Sequence, residues 1–171
     1  MRRAALLVVA LVIAALIVWA NWPEQALPSN VVAERLVVEK GVRRLSVVSH
    51  GRVVKTYRVS LGHQPVGKKV REGDGRTPEG FYYIDLRKDK TCCYRSLEIS
   101  YPNAEDKKHA AASGFRPGGL IMVHGLGRGF GWVGKFQRFY DWTDGCVAVT
   151  NKEMAELWQA VPVGTPIELR P

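Results

Sequence analysis

The first hydrophobic pattern in the chain is an uninterrupted apolar run over residues 4–20. At a helical rise of about 1.5 Å per residue this run extends about 26 Å, close to the roughly 30 Å hydrocarbon core of a bilayer. Arg2 and Arg3 precede it. Trp19 and Trp22 stand at its far end, where aromatic rings favour the interface between membrane and water. The pattern predicts a helix that enters a membrane.

Two outcomes stay open for this helix. Residues 1–22 form a membrane anchor or uncleaved signal, or a secretory signal is removed at the weak junction Val18-Trp19-Ala20. The charged start fits both outcomes, whereas the tryptophans favour the anchor. In both cases Arg2 and Arg3 stay on the inner side, and everything after residue 22 lies across the membrane.

After a short linker over residues 23–33, the dominant spacing of hydrophobic positions becomes two. Alternation of apolar and polar side chains is typical of half-buried strands. The apolar faces of the two clearest examples consist of Tyr57, Val59 and Leu61, and of Leu97, Ile99 and Tyr101. Further strands are predicted over residues 81–85, 120–124, 147–149 and 166–169. The pair His50-Gly51 predicts a hairpin turn.

Two helices are predicted within this β-rich region. The first follows Asn103, carries acidic residues in its first turn and ends before Gly114. The second begins after Thr150, with Glu153 in capping-box spacing and apolar residues at helical spacing behind it. Residues 34–171 are long enough for one domain with its own core. Many short strands with two short helices predict a mostly β fold, either a sandwich or a barrel.

The composition adds a basic character to this exported part. The formal net charge is +9, and removing Arg2 and Arg3 leaves +7. Such a charge is often no more than a solvated surface, but across a membrane it meets anionic lipid or anionic wall polymer. No nucleic-acid motif is visible, and we expect no nucleic-acid partner.

His124 and Cys146 are the candidate catalytic residues. A hydrophobic strand delivers His124 to its end, and a glycine-rich loop over residues 125–134 follows. Either residue alone has a simpler explanation, because cysteine is usually a small buried hydrophobe and a histidine at a strand end is often only hydrogen-bonded. Together they form a pair, since a thiol needs an adjacent base to act as a nucleophile near neutral pH.

The glycine before Cys146 supports this interpretation. Gly145 lets the backbone approach a substrate carbonyl, and N–H groups around Cys146 are expected to form an oxyanion hole. Cys92 and Cys93 are adjacent, and neighbouring side chains on a strand point to opposite faces, so we predict two separate thiols without a catalytic role. Histidines and cysteines show no paired ligand spacing, so we expect neither a metal nor another cofactor.

Four sequence segments resemble a known family. The pair "HGLGRGFGW" and "DWTDGCVAVTN" is similar to the His-Gly and Ser/Thr-X-Gly-Cys signature of the L,D-transpeptidase catalytic domain, also called the YkuD domain. The segments "GDGRTPEGFYYID" and "VPVGTPIEL" resemble a strand entry and the closing strand of the same family. The resemblance covers residues 34–171. It implies a YkuD-type, mostly β fold, with Cys146 as nucleophile, His124 as base and the Gly125 carbonyl orienting the imidazole.

The sequence also departs from the family pattern. Most members carry histidine where this chain has Asp144, and arginine where it has Ala148. Loss of that arginine removes a carboxylate clamp. Three cations in the loop before Cys146 are candidates to replace this clamp: Arg128, Lys135 and Arg138. The alternative is that they are ordinary solvated charges.

Thr143 and Asp144 complete the substrate-binding candidates. Aspartate before glycine usually forms a turn by accepting hydrogen bonds from nearby backbone N–H groups. We therefore expect Asp144 to shape the loop that ends at Cys146, which we call the nucleophile loop, and to take no proton.

The resemblance implies acyl transfer on peptidoglycan stem peptides that contain diaminopimelate. Cys146 would form a thioester and release D-alanine, and the acceptor stays open: an amine of a second stem, a lipoprotein lysine, or water. Hydrolysis of peptidoglycan or of its lipoprotein link is the alternative within the enzymes. The "DWT-x-GC-x-AVTN" form resembles a Gram-negative subfamily, which implies an inner-membrane anchor with the catalytic domain in the periplasm, or a periplasmic protein if the signal is cleaved.

Two rival functions are weighed against this one. In NlpC/P60-like peptidases the cysteine precedes the histidine and opens a helix, whereas here Cys146 follows His124 and precedes a strand. A membrane-tethered, non-catalytic wall-binding module would use the positive charge, but it has no use for a thiol–imidazole pair.

Overall fold

The computed structural model describes residues 2–90 and 93–171, without the side chain of Lys90. Helix α1 covers Arg2–Ala20. In the described part of the chain it is the one helix long and apolar enough to cross a membrane. Its 19 residues extend about 28 Å. The apolar helix predicted at the N-terminus is therefore present.

The domain that follows is built on one mixed sheet. Within the described residues its strands are β1 Arg35–Glu39, β2 Arg44–Ser49, β3 Arg52–Arg58, β4 Gly80–Lys90, β5 Tyr94–Ile99, β6 Met122–His124, β7 Val147–Ala148 and β8 Pro166–Arg170. Their order across the sheet is β3-β2-β1-β8-β4-β5-β6-β7. The pairs β1–β8 and β6–β7 are parallel, and the others are antiparallel.

The sheet bends and closes on itself. Strand β4 pairs with β8 through its first residues and with β5 through its later ones, and the register shifts between Ile84 and Leu86. Ser60, just after edge strand β3, bridges Ala148 of the opposite edge strand β7. Their backbones exchange hydrogen bonds of 3.0 and 2.8 Å. The mostly β fold class is confirmed.

The local signals read from the sequence behave as expected. His50 and Gly51 both have positive φ, as the two-residue turn between β2 and β3 requires. Helix α2, Ala104–Ala112, and helix α3, Asn151–Ala160, both begin with capping boxes, from Asn103 and Thr150 respectively.

The prediction of a glycine-rich loop over residues 125–134 is partly wrong. A 3-10 helical segment covers Gly131–Phe139 and is kinked at Gly134, which has a φ of 51°. We call Gly131–Phe139 the 3-10 segment. A Cβ at Gly134 would lie 2.5 Å from the Ala20 carbonyl oxygen, so this glycine lets the end of α1 approach the domain.

The segment after α1 runs along the domain surface. Leu27 and Ala33 are buried, and the Ala33 N–H donates to the Ala160 carbonyl at 2.8 Å. The Leu27 N–H donates to Glu156 at 3.2 Å. Residues 23–33 are therefore packed against α3 rather than suspended between helix and domain.

Candidate active site

The parallel pair β6–β7 brings the two candidate catalytic residues to one side of the sheet. His124 lies opposite Ala148 in the register, and Cys146 is two residues before Ala148. Side chains two apart on an extended chain share a face. The Val149 N–H donates to the His124 carbonyl at 3.0 Å, which fixes the two chain segments together. The topology thus places Cys146 on the His124 face.

The orientation of the His124 ring is set by its own neighbour. Nδ1 lies 2.6 Å from the Gly125 carbonyl oxygen. Because a carbonyl only accepts, Nδ1 carries the proton, and in the neutral ring Nε2 is the basic nitrogen. The contact expected between His124 and Gly125 is present. A side chain at Gly125 would lie 2.5 Å from the Tyr94 carbonyl, so only glycine fits there.

Burial determines the charge of this imidazole. His124 is buried and meets the Trp142 ring edge-on, with 5.8 Å between ring centroids. Burial lowers the pKa of His124 below its ordinary value of 6.5, and the hydrogen bond to Gly125 only partly opposes this. At neutral pH the ring is therefore uncharged and able to accept a proton.

This shift fixes the sign of the pH dependence. Below pH 6.5 the unfolded chain binds a proton at this position that the folded chain does not, so stability falls as the pH drops from 6.5 to the folded pKa and then levels. The sequence predicts His124 as the base of an acylation, a role that needs the neutral ring, so we expect the acidic limb of the acylation rate to lie below pH 6.5. Stopped-flow measurement of the acylation rate between about pH 4.5 and 8 locates this limb. An acidic limb above pH 6.5 would contradict the buried environment that lowers the pKa of His124.

The loop before Cys146 is held by a hydroxyl. Thr143 Oγ1 donates to the Cys146 carbonyl at 2.8 Å and accepts from the Gly145 N–H at 3.2 Å. Cys146 itself is half-buried, and its Sγ lies 3.7 Å from the Leu120 carbonyl oxygen. Leu120 has a φ of 55°, so its carbonyl orientation depends on an uncommon backbone conformation.

Gly145 acts through its lack of a side chain. Its φ is 126°, and a Cβ would lie 2.5 Å from the Arg76 carbonyl oxygen. The oxyanion role expected for its N–H is not supported, because that N–H is already bonded to Thr143. Gly145 instead permits the close packing of two backbone segments next to the thiol.

The structure corrects the expectation for Asp144. Its side chain is 99% exposed, and its nearest described ionic partner is His63 Nδ1 at 3.7 Å. The turn bonds that we expected from its carboxylate come from Thr143 instead. Asp144 therefore stands in solvent beside the loop and takes no part in shaping it.

The cations expected to replace the missing arginine are also placed elsewhere. Lys135 and Arg138 form ion pairs with Glu24 at 3.0 and 3.3 Å, and Arg138 also pairs with Glu153. Both therefore fasten the 3-10 segment to the linker and to α3. Arg128 is exposed and lines a cleft with Asp89 on the far side of the loop.

Sequence reasoning missed the cations that do lie beside the nucleophile loop. A cleft of about 560 Å³ has His63, Arg71, Arg76 and Phe115 among its lining residues. His63 reaches the nucleophile loop, because its backbone N–H donates to the Thr143 carbonyl at 2.9 Å. Arg76 belongs to the segment "GDGRTPEG", which carries the family resemblance but gives no local sign of a binding role.

A second cleft adjoins the first. It has a volume of about 400 Å³ and is lined by Leu120 and Arg116, among others. The Glu72 N–H donates to the Arg116 carbonyl at 2.8 Å and joins the walls of the two clefts. The Leu120 carbonyl contacts Cys146 Sγ, so the thiol lies beside a residue that lines the second cleft.

The other predicted features concern metal and disulfide chemistry. In residues 2–90 and 93–171, no group of three or more His, Cys, Asp or Glu side chains is arranged to hold a metal ion. The prediction of two separate thiols involves Cys92, which lies outside the described residues. Cys93 is half-buried and bridges Gly127 through its backbone.

Comparison with known proteins identifies the family. A model of the L,D-transpeptidase catalytic domain (YkuD) matches residues 33–169. The chain belongs to this family. The predicted family and the prediction of an enzyme are thereby confirmed.

Two curated relatives carry provisional names as L,D-transpeptidases. YafK of Escherichia coli (strain K12) is 30% identical over 112 residues, which cover 64% of this chain and 37% of YafK. YqjB of Bacillus subtilis (strain 168) is 28% identical over 152 residues, which cover 85% of this chain and 76% of YqjB. The chain thus spans little more than a third of the E. coli relative.

Solved structures agree with the fold. Pgp2 of Campylobacter jejuni, a helical cell shape determining protein, has a TM-score of 0.62 at 23% identity, over 82% of this chain and 48% of Pgp2. An L,D-transpeptidase from Mycobacterium smegmatis has a TM-score of 0.56 at 16% identity, over 81% of this chain and 59% of that one. At these identities the likeness establishes the fold alone.

Proposed function

We propose that the chain is a cysteine acyltransferase that acts on peptidoglycan stem peptides containing diaminopimelate. The observation that carries this proposal is the His124 ring, which Gly125 holds with Nε2 as its basic atom on the face of the sheet shared with Cys146. Membership of the L,D-transpeptidase family supports the substrate class.

The first half-reaction forms a thioester. His124 Nε2 takes the proton of the Cys146 thiol as Sγ attacks the carbonyl between the L-centre of diaminopimelate and the terminal D-alanine. The imidazolium then returns that proton to the departing amine, the C–N bond breaks, and D-alanine leaves. A neutral resting imidazole suits this sequence, because the ring must accept a proton before it donates one.

The second half-reaction decides the product. An amine of a second stem peptide attacks the thioester and gives a cross-link between two diaminopimelate residues. A lipoprotein lysine would give an anchored protein, and water would give hydrolysis. In each case His124 removes a proton from the attacking group, and the Cys146 thiol is regenerated.

Product analysis tests this function directly. Purified full-length protein is incubated in detergent with disaccharide tetrapeptides, and the products are resolved by mass spectrometry. Release of D-alanine with a dimeric product supports transpeptidation. A tripeptide without a dimer assigns hydrolysis, and unchanged tetrapeptide contradicts the proposal.

Arg76 is the residue that we propose to bind a substrate carboxylate. Ala148 is completely buried and bridges Ser60, so the position of the usual family arginine cannot supply a cation here. Arg76 lines the cleft beside the nucleophile loop, and its backbone carbonyl is packed against Gly145. A guanidinium there matches the planar carboxylates of a stem peptide.

Arg76→Ala is expected to raise the KM for tetrapeptide about 10-fold or more, because one charge-assisted contact contributes about 1.5 to 3 kcal/mol. Arg76→Lys should recover part of this loss, since it keeps the charge without the planar fork. Arg128→Ala is the matched control and should leave the KM unchanged. Equal effects of the Arg76 and Arg128 variants would contradict the assignment.

We also propose that α1 is retained as an inner-membrane anchor, with the catalytic domain in the periplasm. The residues around the weak junction support this, because Ala20 is buried and Asn21 Nδ2 donates to the Trp132 carbonyl at 2.8 Å. Lys152 Nζ donates to the Asn21 carbonyl at 2.6 Å. The end of the helix is thus part of the folded domain.

A further inference from the structure

Exposed aromatic side chains are concentrated in and beside the 3-10 segment. Four of them are largely exposed: Phe130 at 60%, Trp132 at 58%, Phe139 at 73% and Tyr140 at 68%. Trp19 and Trp22, at the end of α1, are 53% and 64% exposed. We call these six residues the aromatic surface. Soluble proteins rarely expose such a group of large rings without a partner.

The aromatic surface is continuous with the end of α1. The Trp19 ring packs on the Phe136 ring at 6.0 Å, and Phe136 stacks on Phe139 at 6.0 Å. Asn21 holds the Trp132 backbone, and Gly134 admits the Ala20 carbonyl. The helix therefore enters the domain through direct contacts with the 3-10 segment.

These contacts fix the depth of the aromatic surface in a membrane. When a helix of this length spans the hydrocarbon core, the tryptophan at its end lies at the interface. Phe136 and Phe139 lie within two ring contacts of Trp19, so their depth is tied to that of Trp19. Tryptophan and tyrosine favour that zone, because one end of the ring is apolar and the other is polar.

The charges around the aromatic surface agree with a lipid partner. Lys135 and Arg138 of the 3-10 segment are paired with Glu24 and Glu153, so burial against headgroups does not leave them unpaired. Arg128 is exposed and lies two residues before Phe130 of the aromatic surface. It forms no ion pair within the described residues and can meet an anionic headgroup.

We propose that the aromatic surface rests in the headgroup region of the bilayer that α1 spans, so that the catalytic domain is seated on the membrane rather than tethered above it. The proposal rests on the retained anchor proposed above.

The seating has a consequence for the site, because Gln137 of the 3-10 segment contacts β7, with its Nε2 donating to the Ala148 carbonyl at 3.4 Å. The Gln137 carbonyl accepts from Ser60 Oγ at 2.6 Å, and the Gln137 side chain accepts from Trp142 Nε1 at 3.1 Å. Trp142 in turn packs against His124. The proposed membrane contact and His124 are therefore linked through Gln137 and Trp142.

Depth-dependent fluorescence quenching tests the proposal. The full-length protein is reconstituted into vesicles of phosphatidylethanolamine and phosphatidylglycerol, with bromine atoms either near the headgroups or at the chain ends. Emission from one tryptophan is the difference between the wild type and a Trp→Phe variant. Trp132→Phe is compared with Trp22→Phe as the interfacial reference and with Trp158→Phe, whose ring is covered by Arg87 and Arg95.

We expect the Trp132 emission to lose most of its intensity to shallow bromines, as the Trp22 emission does, and less to deep ones. Trp132 quenched no more than Trp158 would overturn the seating. Intact mass and covalent labelling by a carbapenem are recorded on the same samples. A chain that has lost its first twenty residues or so overturns both the anchor and the seating. Normal labelling with unquenched Trp132 overturns the seating and leaves the proposed chemistry intact.

Discussion

Replacing Cys146 by alanine is expected to abolish the covalent adduct that a carbapenem forms with the wild-type protein. The β-lactam carbonyl needs a nucleophilic sulfur, and an alanine has no atom to acylate. Cys146 is half-buried, so its loss should leave thermal unfolding nearly unchanged. Intact-mass spectrometry measures the adduct directly.

Matched variants separate the catalytic thiol from general thiol reactivity. Cys93 is also half-buried, and Cys93→Ala should be labelled as fast as the wild type. His124→Ala should slow acylation about 10²- to 10⁴-fold, because it removes the base and keeps the thiol. Full labelling of Cys146→Ala would exclude Cys146 as the nucleophile, and equal loss in Cys93→Ala would contradict the prediction that Cys93 has no catalytic role.

Local signals in the sequence predicted much of the fold. The capping residues Asn103 and Thr150 and the His50-Gly51 turn each act over a few neighbouring residues, so their outcome is visible in the letters. Strand β1 was not singled out because Leu36, Val37 and Val38 are all buried, so the strand lacks alternation. The 3-10 segment was not predicted because its glycines resemble a loop, and its contact with Ala20 at Gly134 joins residues far apart in the sequence.

The candidate site shows the same division. His124 and Cys146 were identified from their chemistry and from family resemblance, and the sheet register places them on one face. The replacement cations were misassigned because Lys135 and Arg138 are close to Cys146 along the chain. In the structure their partner is Glu24, more than a hundred residues away. Arg76, distant in sequence, reaches the loop through backbone packing that no local pattern records.

Gly145→Ala is expected to have the largest effect among substitutions that leave the reacting groups in place. Alanine at a φ of 126° is strained, and its Cβ would lie 2.5 Å from the Arg76 carbonyl and 3.2 Å from Ile121. The first neighbour is backbone and cannot move aside as a flexible side chain would. Strain and overpacking together should cost about 3 kcal/mol or more. Displacement of the thiol by about 1 Å should slow acylation about 100-fold.

Gly164→Ala is the matched control for this substitution. Gly164 also has a positive φ, 88°, but a Cβ there meets nothing within 4 Å. It should therefore cost only the backbone strain, about 1 to 2 kcal/mol, without affecting acylation. Both variants are compared by thermal unfolding in detergent, with acylation rates taken on the folded fraction. If Gly145→Ala behaved like Gly164→Ala in both measurements, the contact with the Arg76 carbonyl would not be what positions Cys146. If it lost stability but kept its acylation rate, the packing of Gly145 against the Arg76 carbonyl would stabilise the fold without positioning Cys146.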